Sequence, residues 1–154
     1  MYEGFAVDWK GPFAVRTPEG YTGFFLLVEL LSTRCWAILA ATSAEWATIW
    51  PIFVTRVEAS TGKSNCIAYL ISDGAKIFSQ QVVKVFNEQK GIDSIATAPF
   101  SQWQNPAERL IQSVVRGAVA DLIHGGGPDW AWGHAILHSV DSLNRSLPAK
   151  PVAG

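Results

Sequence analysis

What this 154-residue sequence most plainly lacks is an excess of charge of either sign: twelve Lys and Arg stand against thirteen Asp and Glu, a formal net charge of −1. A domain read as nucleic-acid-binding from bulk charge has a pI above about 9, whereas the value here is near 6.3. Any DNA contact must therefore be local or shared, with Lys10, Lys63, Lys76, Lys84, Arg109 and Arg116 as the cations available for a patch. Cysteine is scarce as well. Cys35 and Cys66 have neither CxxC spacing nor a histidine pair beside them, which predicts reduced core thiols of an intracellular protein and argues against a zinc site. Long apolar runs are missing too. The longest candidate, around Phe24 to Leu31, is interrupted by Glu29, so nothing approaches the roughly 18 uncharged residues of a membrane span, and a soluble chain without a membrane partner is expected. The start, MYEGFAVDWKG, lacks the charged-then-apolar layout of a signal peptide. A Met set directly before a strand pattern and a PAKPVAG tail read as processing boundaries in a piece of something larger. Residues 1–148 are expected to form the domain and 149–154 a flexible tail.

What is present is apolar: 49% of the residues, with seven tryptophans and only 16% charged. That composition excludes disorder and predicts one core, with roughly 68–70% of the unfolded surface removed from water on folding. Tyr2 to Trp9 alternates as a strand and stops at Gly11-Pro12. Two nearly continuous apolar runs, Tyr21 to Leu31 and Arg34 to Ala41, follow across a tight turn and read as central strands of an antiparallel meander. Thr42-Ser43-Ala44-Glu45 is a capping-box pattern, continued at helical spacing by Trp46, Ile49, Trp50, Phe53, Val54 and Val57. Pro51 lies inside that helix and is expected to kink or restart it. Ser60 to Asn65 reads as a loop, and Cys66 to Ser72 as a short strand delivering Asp73 to its end. Ser79 to Lys90 reads as a helix stopped by Gly91, and Ile92 to Ala98 as a last strand. The order βββαβαβαα predicts a mixed α/β fold, a five-stranded sheet flanked by helices.

The stretch from Pro99 to Leu122 carries a turn-rich lead-in and then one amphipathic helix. Ile111, Val114, Val115, Ala118, Val119 and Leu122 form its apolar stripe, while Glu108, Arg109, Gln112 and Arg116 fall on the opposite face. Asp8 and Asp73 at strand ends, with Glu108 on a helix, are three carboxylates from separate elements. A two-magnesium phosphoryl-transfer site needs such a set, because magnesium takes hard oxygen ligands and keeps positions for water and phosphate.

The flanking residues narrow this reading. Asp8-Trp9-Lys10-Gly11-Pro12, Ser72-Asp73 and Gln104-Asn105-Pro106-Ala107-Glu108-Arg109 resemble the signature blocks of retroviral-type integrase catalytic cores, most nearly those of copia-type LTR retrotransposons. Asn144-Arg145-Ser146-Leu147-Pro148, after Trp132 to Ala135, resembles the end of that family's core. The resemblance implies an RNase H-like fold, a DDE polynucleotidyl transferase with Asp8, Asp73 and Glu108 as catalytic and metal-binding residues, and two Mg²⁺ or Mn²⁺ ions. It further implies DNA as partner (retroelement ends and target), 3′-end processing and strand transfer, a homodimer or higher homo-oligomer, and a nuclear location. Lys10, Lys76 and Arg109, with Arg116, are then candidate phosphate contacts, and Gln104 and Asn105 would touch the DNA ends. Two departures stand out. Residues 74 to 107, 34 in all, separate the second and third acids, one fewer than the family's usual interval. Gly74-Ala75-Lys76-Ile77-Phe78 replaces an Asn-Gly-x-Glu-Phe run, of which only Phe78 matches. They motivate a competing reading, a catalytically inactive integrase-derived module for DNA binding or assembly. An RNase H-type nuclease would add a fourth acid, for which only Glu29 and Asp121 offer themselves.

Other motifs are decoys. Thr61-Gly62-Lys63-Ser64 imitates a P-loop end, yet the earlier glycine position holds Val57 and a strand follows. His134 and His138 have zinc-ligand spacing without the HExxH glutamate, and read as surface or interface histidines. Trp130, Trp132 and the Trp46/Trp50 pair read as core or subunit contacts.

Overall fold

The computed structural model describes residues 2–98 and 105–147. Three strands, β1 (Tyr2–Lys10), β2 (Gly23–Glu29) and β3 (Cys35–Ala40), form an antiparallel meander. There follow α1 (Trp46–Thr61), β4 (Ile67–Ser72), α2 (Gln81–Lys90), β5 (Asp93–Ala96), α3 (Pro106–Gly125) and α4 (Trp132–Arg145). The five strands lie in the order β3-β2-β1-β4-β5, with β4 parallel to β1 and β5 parallel to β4. This is the mixed, helix-flanked α/β sheet of an RNase H-like domain.

Strand parity splits the core in two. Phe5, Val7, Phe25 and Leu27 face α1 and α2, packing with Trp46, Trp50, Phe53 and Val83. Ala6, Phe24, Leu26 and Val28 face α3 and α4, packing with Ala107, Ile111, Val114, Trp132 and Ile136. All seven residues of β2 are buried, as expected for a strand covered on both faces. Gly4 permits the close β1/β4 approach: a Cβ there would lie 2.5 Å from the Tyr69 ring.

Several expectations are corrected. The run Arg34 to Ala41 yields an edge strand rather than a central one, since β3 has a neighbour only in β2. It is nonetheless apolar because Trp36 and Ile38 pack on one core and Ala37 and Leu39 on the other. Pro51 neither ends nor restarts α1, which runs through it for 16 residues. Burial of Trp46, Trp50, Phe53, Val54 and Val57 outweighs the one helical hydrogen bond that proline cannot donate. Trp46 and Trp50 are wholly buried and stacked on each other, so they are core and cannot be a subunit contact. Trp132 is core as well, donating its indole N–H to the Val15 carbonyl at 2.8 Å, whereas Trp130 is exposed. On α3 the stripe holds except at Val119, which is 48% exposed. Helix α4 crosses α3 closely at Gly117, where a Cβ would sit 2.5 Å from Ser139 Oγ, and that hydroxyl donates to the Val114 carbonyl at 2.9 Å.

Candidate active site

Sheet register brings the first two acids together. In the parallel β1/β4 pair Ala6 stands opposite Ile71. Asp8 lies two residues past Ala6 and Asp73 two past Ile71, so both reach the same ends of neighbouring strands, about 4.8 Å apart in backbone spacing. Parity puts Asp8 on the Ala6 face, toward α3, since Phe5 and Val7 belong to the other core. Asp73 leaves β4 at once into a turn: Gly74 takes φ +80°, and Asp73 Oδ1 accepts the Ala75 N–H at 2.9 Å. A glycine is what this left-handed step favours.

The third acid arrives through α3. Asn105 is its N-cap, its Oδ1 accepting the Ala107 N–H at 3.0 Å, and Pro106 takes the first helical position. The same Asn105 donates its Nδ2 to the Val7 carbonyl at 3.2 Å. One side chain thus caps the helix and ties its start to the residue before Asp8. Glu108, in the first turn and half-buried, is brought to the strand ends by that tie.

Electrostatics registers the convergence. The Asp8 carboxyl is pushed up from 3.8 to about 6, chiefly by burial and further by the charges of Asp73 and Glu108. The Trp9 N–H, 2.9 Å from Oδ1, and the Lys10 cation act the other way. A carboxylate whose proton affinity is raised by burial and by two neighbouring acids belongs to a donor set that a divalent cation would relieve. Their hard oxygens fit magnesium. Among the described residues, however, no three metal-ligating side chains are drawn together into a ready cage.

The remaining sequence candidates fall out unevenly. Lys10 and Lys76 are exposed beside the acids, at the end of β1 and three residues past Asp73. Arg109 is exposed next to Glu108, and Arg116 lies eight residues beyond it, roughly 12 Å further along α3. Gln104 lies outside the described residues, as does the 149–154 tail. Asn105 is corrected: it is 1% exposed with both polar groups committed to backbone, so it positions Glu108 and is not a surface for DNA. Asn before Pro at a helix start was the signal for this cap. Among the described residues no fourth acid joins the three. Glu29 braces the β2–β3 turn, accepting the Ser32 hydroxyl and the Leu31 and Ser32 N–H groups, and Asp121 pairs with His138. A cavity of about 500 Å³ at the β3 edge, walled by Tyr21, Leu39, Arg56 and His134 among others, contains a single carboxylate, Glu19, and is remote from this chemistry.

No protein-family model matches the sequence, and no curated protein matches it. Solved structures do match the fold. The HTLV-2 integrase catalytic core domain, determined in complex with magnesium in a trimeric form, superposes with a TM-score of 0.66 at 13% identity, over 97% of this chain and 90% of that one. The catalytic core domain of BIV integrase gives 0.65 at 16% identity, over 97% and 88%. The chain therefore has the fold of retroviral integrase catalytic cores.

Proposed function

We propose that this chain is an integrase-type polynucleotidyl transferase core of the copia-like retrotransposon kind. In this reading Asp8, Asp73 and Glu108 hold two Mg²⁺ or Mn²⁺ ions and DNA is the substrate. The observation that carries it is the convergence of three carboxylates from β1, β4 and α3, felt by Asp8 as a proton affinity raised to about 6. The sequence blocks around those acids support the same reading. When bound, the ions supply charge neutralisation and Lewis acidity at the scissile phosphate. The protein's own groups do the rest. The Trp9 N–H holds Asp8, Asn105 sets Glu108 against the strand ends, and Lys10, Lys76 and Arg109 rim the acids where phosphates would lie, with Arg116 extending the track along α3. The reaction is hydrolysis at a DNA 3′ end, followed by attack of the freed 3′ hydroxyl on a target phosphodiester. A homo-oligomer and a nuclear location belong to the same proposal.

The inactive-module reading is favoured by one feature, the Gly74-Ala75-Lys76-Ile77 run that follows Asp73. A nicking assay on supercoiled plasmid with Mn²⁺ separates the two. Nicking that disappears in Glu108→Gln and Asp73→Asn supports the transferase. DNA retained equally by all three proteins, with no metal-dependent nicking in any, supports the module.

A further inference from the structure

One cluster of side chains lies apart from the three acids. His134 and His138 are four residues apart within the regular helix α4, which sets their imidazoles on one face, about 6 Å apart at Cβ. Across the helix pair, Asp121 of α3 places Oδ2 2.8 Å from His138 Nδ1. Asp121, His134 and His138 together line one shallow cavity of about 260 Å³, whose remaining walls include the small residues Gly125, Gly127, Ala131 and Ala135. Leu122 completes the wall, and His134 also borders the β3-edge cavity that holds Glu19.

A carboxylate on one ring nitrogen fixes the tautomer and turns the other nitrogen outward as a lone pair, the arrangement in which histidine ligates a transition metal. Two imidazoles on adjacent turns chelate one ion. They select zinc, copper or nickel, whereas carboxylate oxygens select magnesium. Asp121 is also 13 residues from Glu108 along α3, roughly 20 Å of helix, so this end of the molecule is independent of the acids. As a bare ion pair, with side chains 66% and 46% exposed, His138 and Asp121 would contribute little to folding.

We propose that His134 and His138 form a two-histidine site for a zinc-class divalent ion, with Asp121 as the positioning residue that holds His138. Water completes the coordination, in keeping with there being no third ligating side chain in place among the described residues.

The test is a calorimetric Zn²⁺ titration of the untagged, chelator-stripped chain beside His134→Ala, His138→Ala, Asp121→Asn, Asp121→Glu and Asp8→Asn. All four altered positions are exposed or half-buried, and a metal-free melting curve for each of the five variants verifies folding. One zinc per chain is expected in the parent and in Asp8→Asn, with affinity at least about tenfold weaker in either histidine variant. Asp121→Asn should lose about tenfold, as removal of an orienting partner does, and Asp121→Glu should recover part of it. With Cu²⁺ in place of zinc, electron paramagnetic resonance should show coupling to two imidazole nitrogens in the parent and one in His134→Ala. Zinc affinity unchanged in both histidine variants, or lost only in Asp8→Asn, overturns the site. Equal affinity in the parent and Asp121→Asn overturns the positioning role.

Discussion

Replacing Asp8 by Asn should make the metal-free protein more stable at neutral pH, the opposite of what removing a core-facing hydrogen-bonding residue usually does. Asn keeps the oxygen that accepts the Trp9 N–H at 2.9 Å, so the local turn survives and only the charge is lost. The folded carboxyl titrates near 6 against an ordinary 3.8. A raised folded value means that the native state binds the proton more tightly than the unfolded chain. The penalty for charging Asp8 is thus complete above pH 6, shrinks as pH falls through 6, and is gone below the unfolded value. The rise from 3.8 to about 6 corresponds to about 3 kcal/mol as an upper bound, and discounting for partial exposure leaves about 1–2 kcal/mol. For a chain of this size that is a rise of roughly 2–8 °C in melting temperature. Differential scanning calorimetry of both proteins near pH 7.5 should show this gain, and near pH 4.5 the gap should shrink by more than about half. Saturating Mn²⁺ should reverse the order by stabilising the parent alone. A melting temperature for Asp8→Asn equal to or below the parent's near pH 7.5 without metal would refute the reasoning.

Three further outcomes follow from named contacts. Asn105→Ala removes the α3 cap and the bond to Val7, and urea denaturation should show a loss of about 1–2 kcal/mol. Asn87→Ala leaves the buried Trp50 indole N–H without the acceptor it now has at 2.7 Å, a cost of about 1–3 kcal/mol by the same measurement. Arg109→Ala should weaken DNA binding uniformly across sequences and lower the slope of log K against log salt by about one, as read by fluorescence anisotropy over a salt series.

Much of the fold was legible because the sheet and α3 bury their faces in plain periods. The strand pattern alone put Asp8 near the end of β1, which runs on to Lys10, and Asp73 at the end of β4, which stops at Ser72, and the capping box at Glu45 is present, its carboxylate accepting the Thr42 N–H at 2.9 Å. What was not legible depends on partners distant in sequence. An apolar run reads the same at a sheet's edge as at its centre when helices cover both faces, and so β3 was misplaced. Pro51 carries a local penalty that no local signal offsets; the compensation is burial of two tryptophans against β1 and β2. Asn105 read as a DNA contact because it stands on the loop before α3, whereas its role is set by a carbonyl 98 residues earlier.

The most direct test of the central claim is a calorimetric Mn²⁺ titration of this chain beside Asp73→Asn. Saturable binding that weakens in the variant is the predicted result, since Asp8, Asp73 and Glu108 would then act as one ligand set. Equal binding in the two proteins, or none in either, would contradict it.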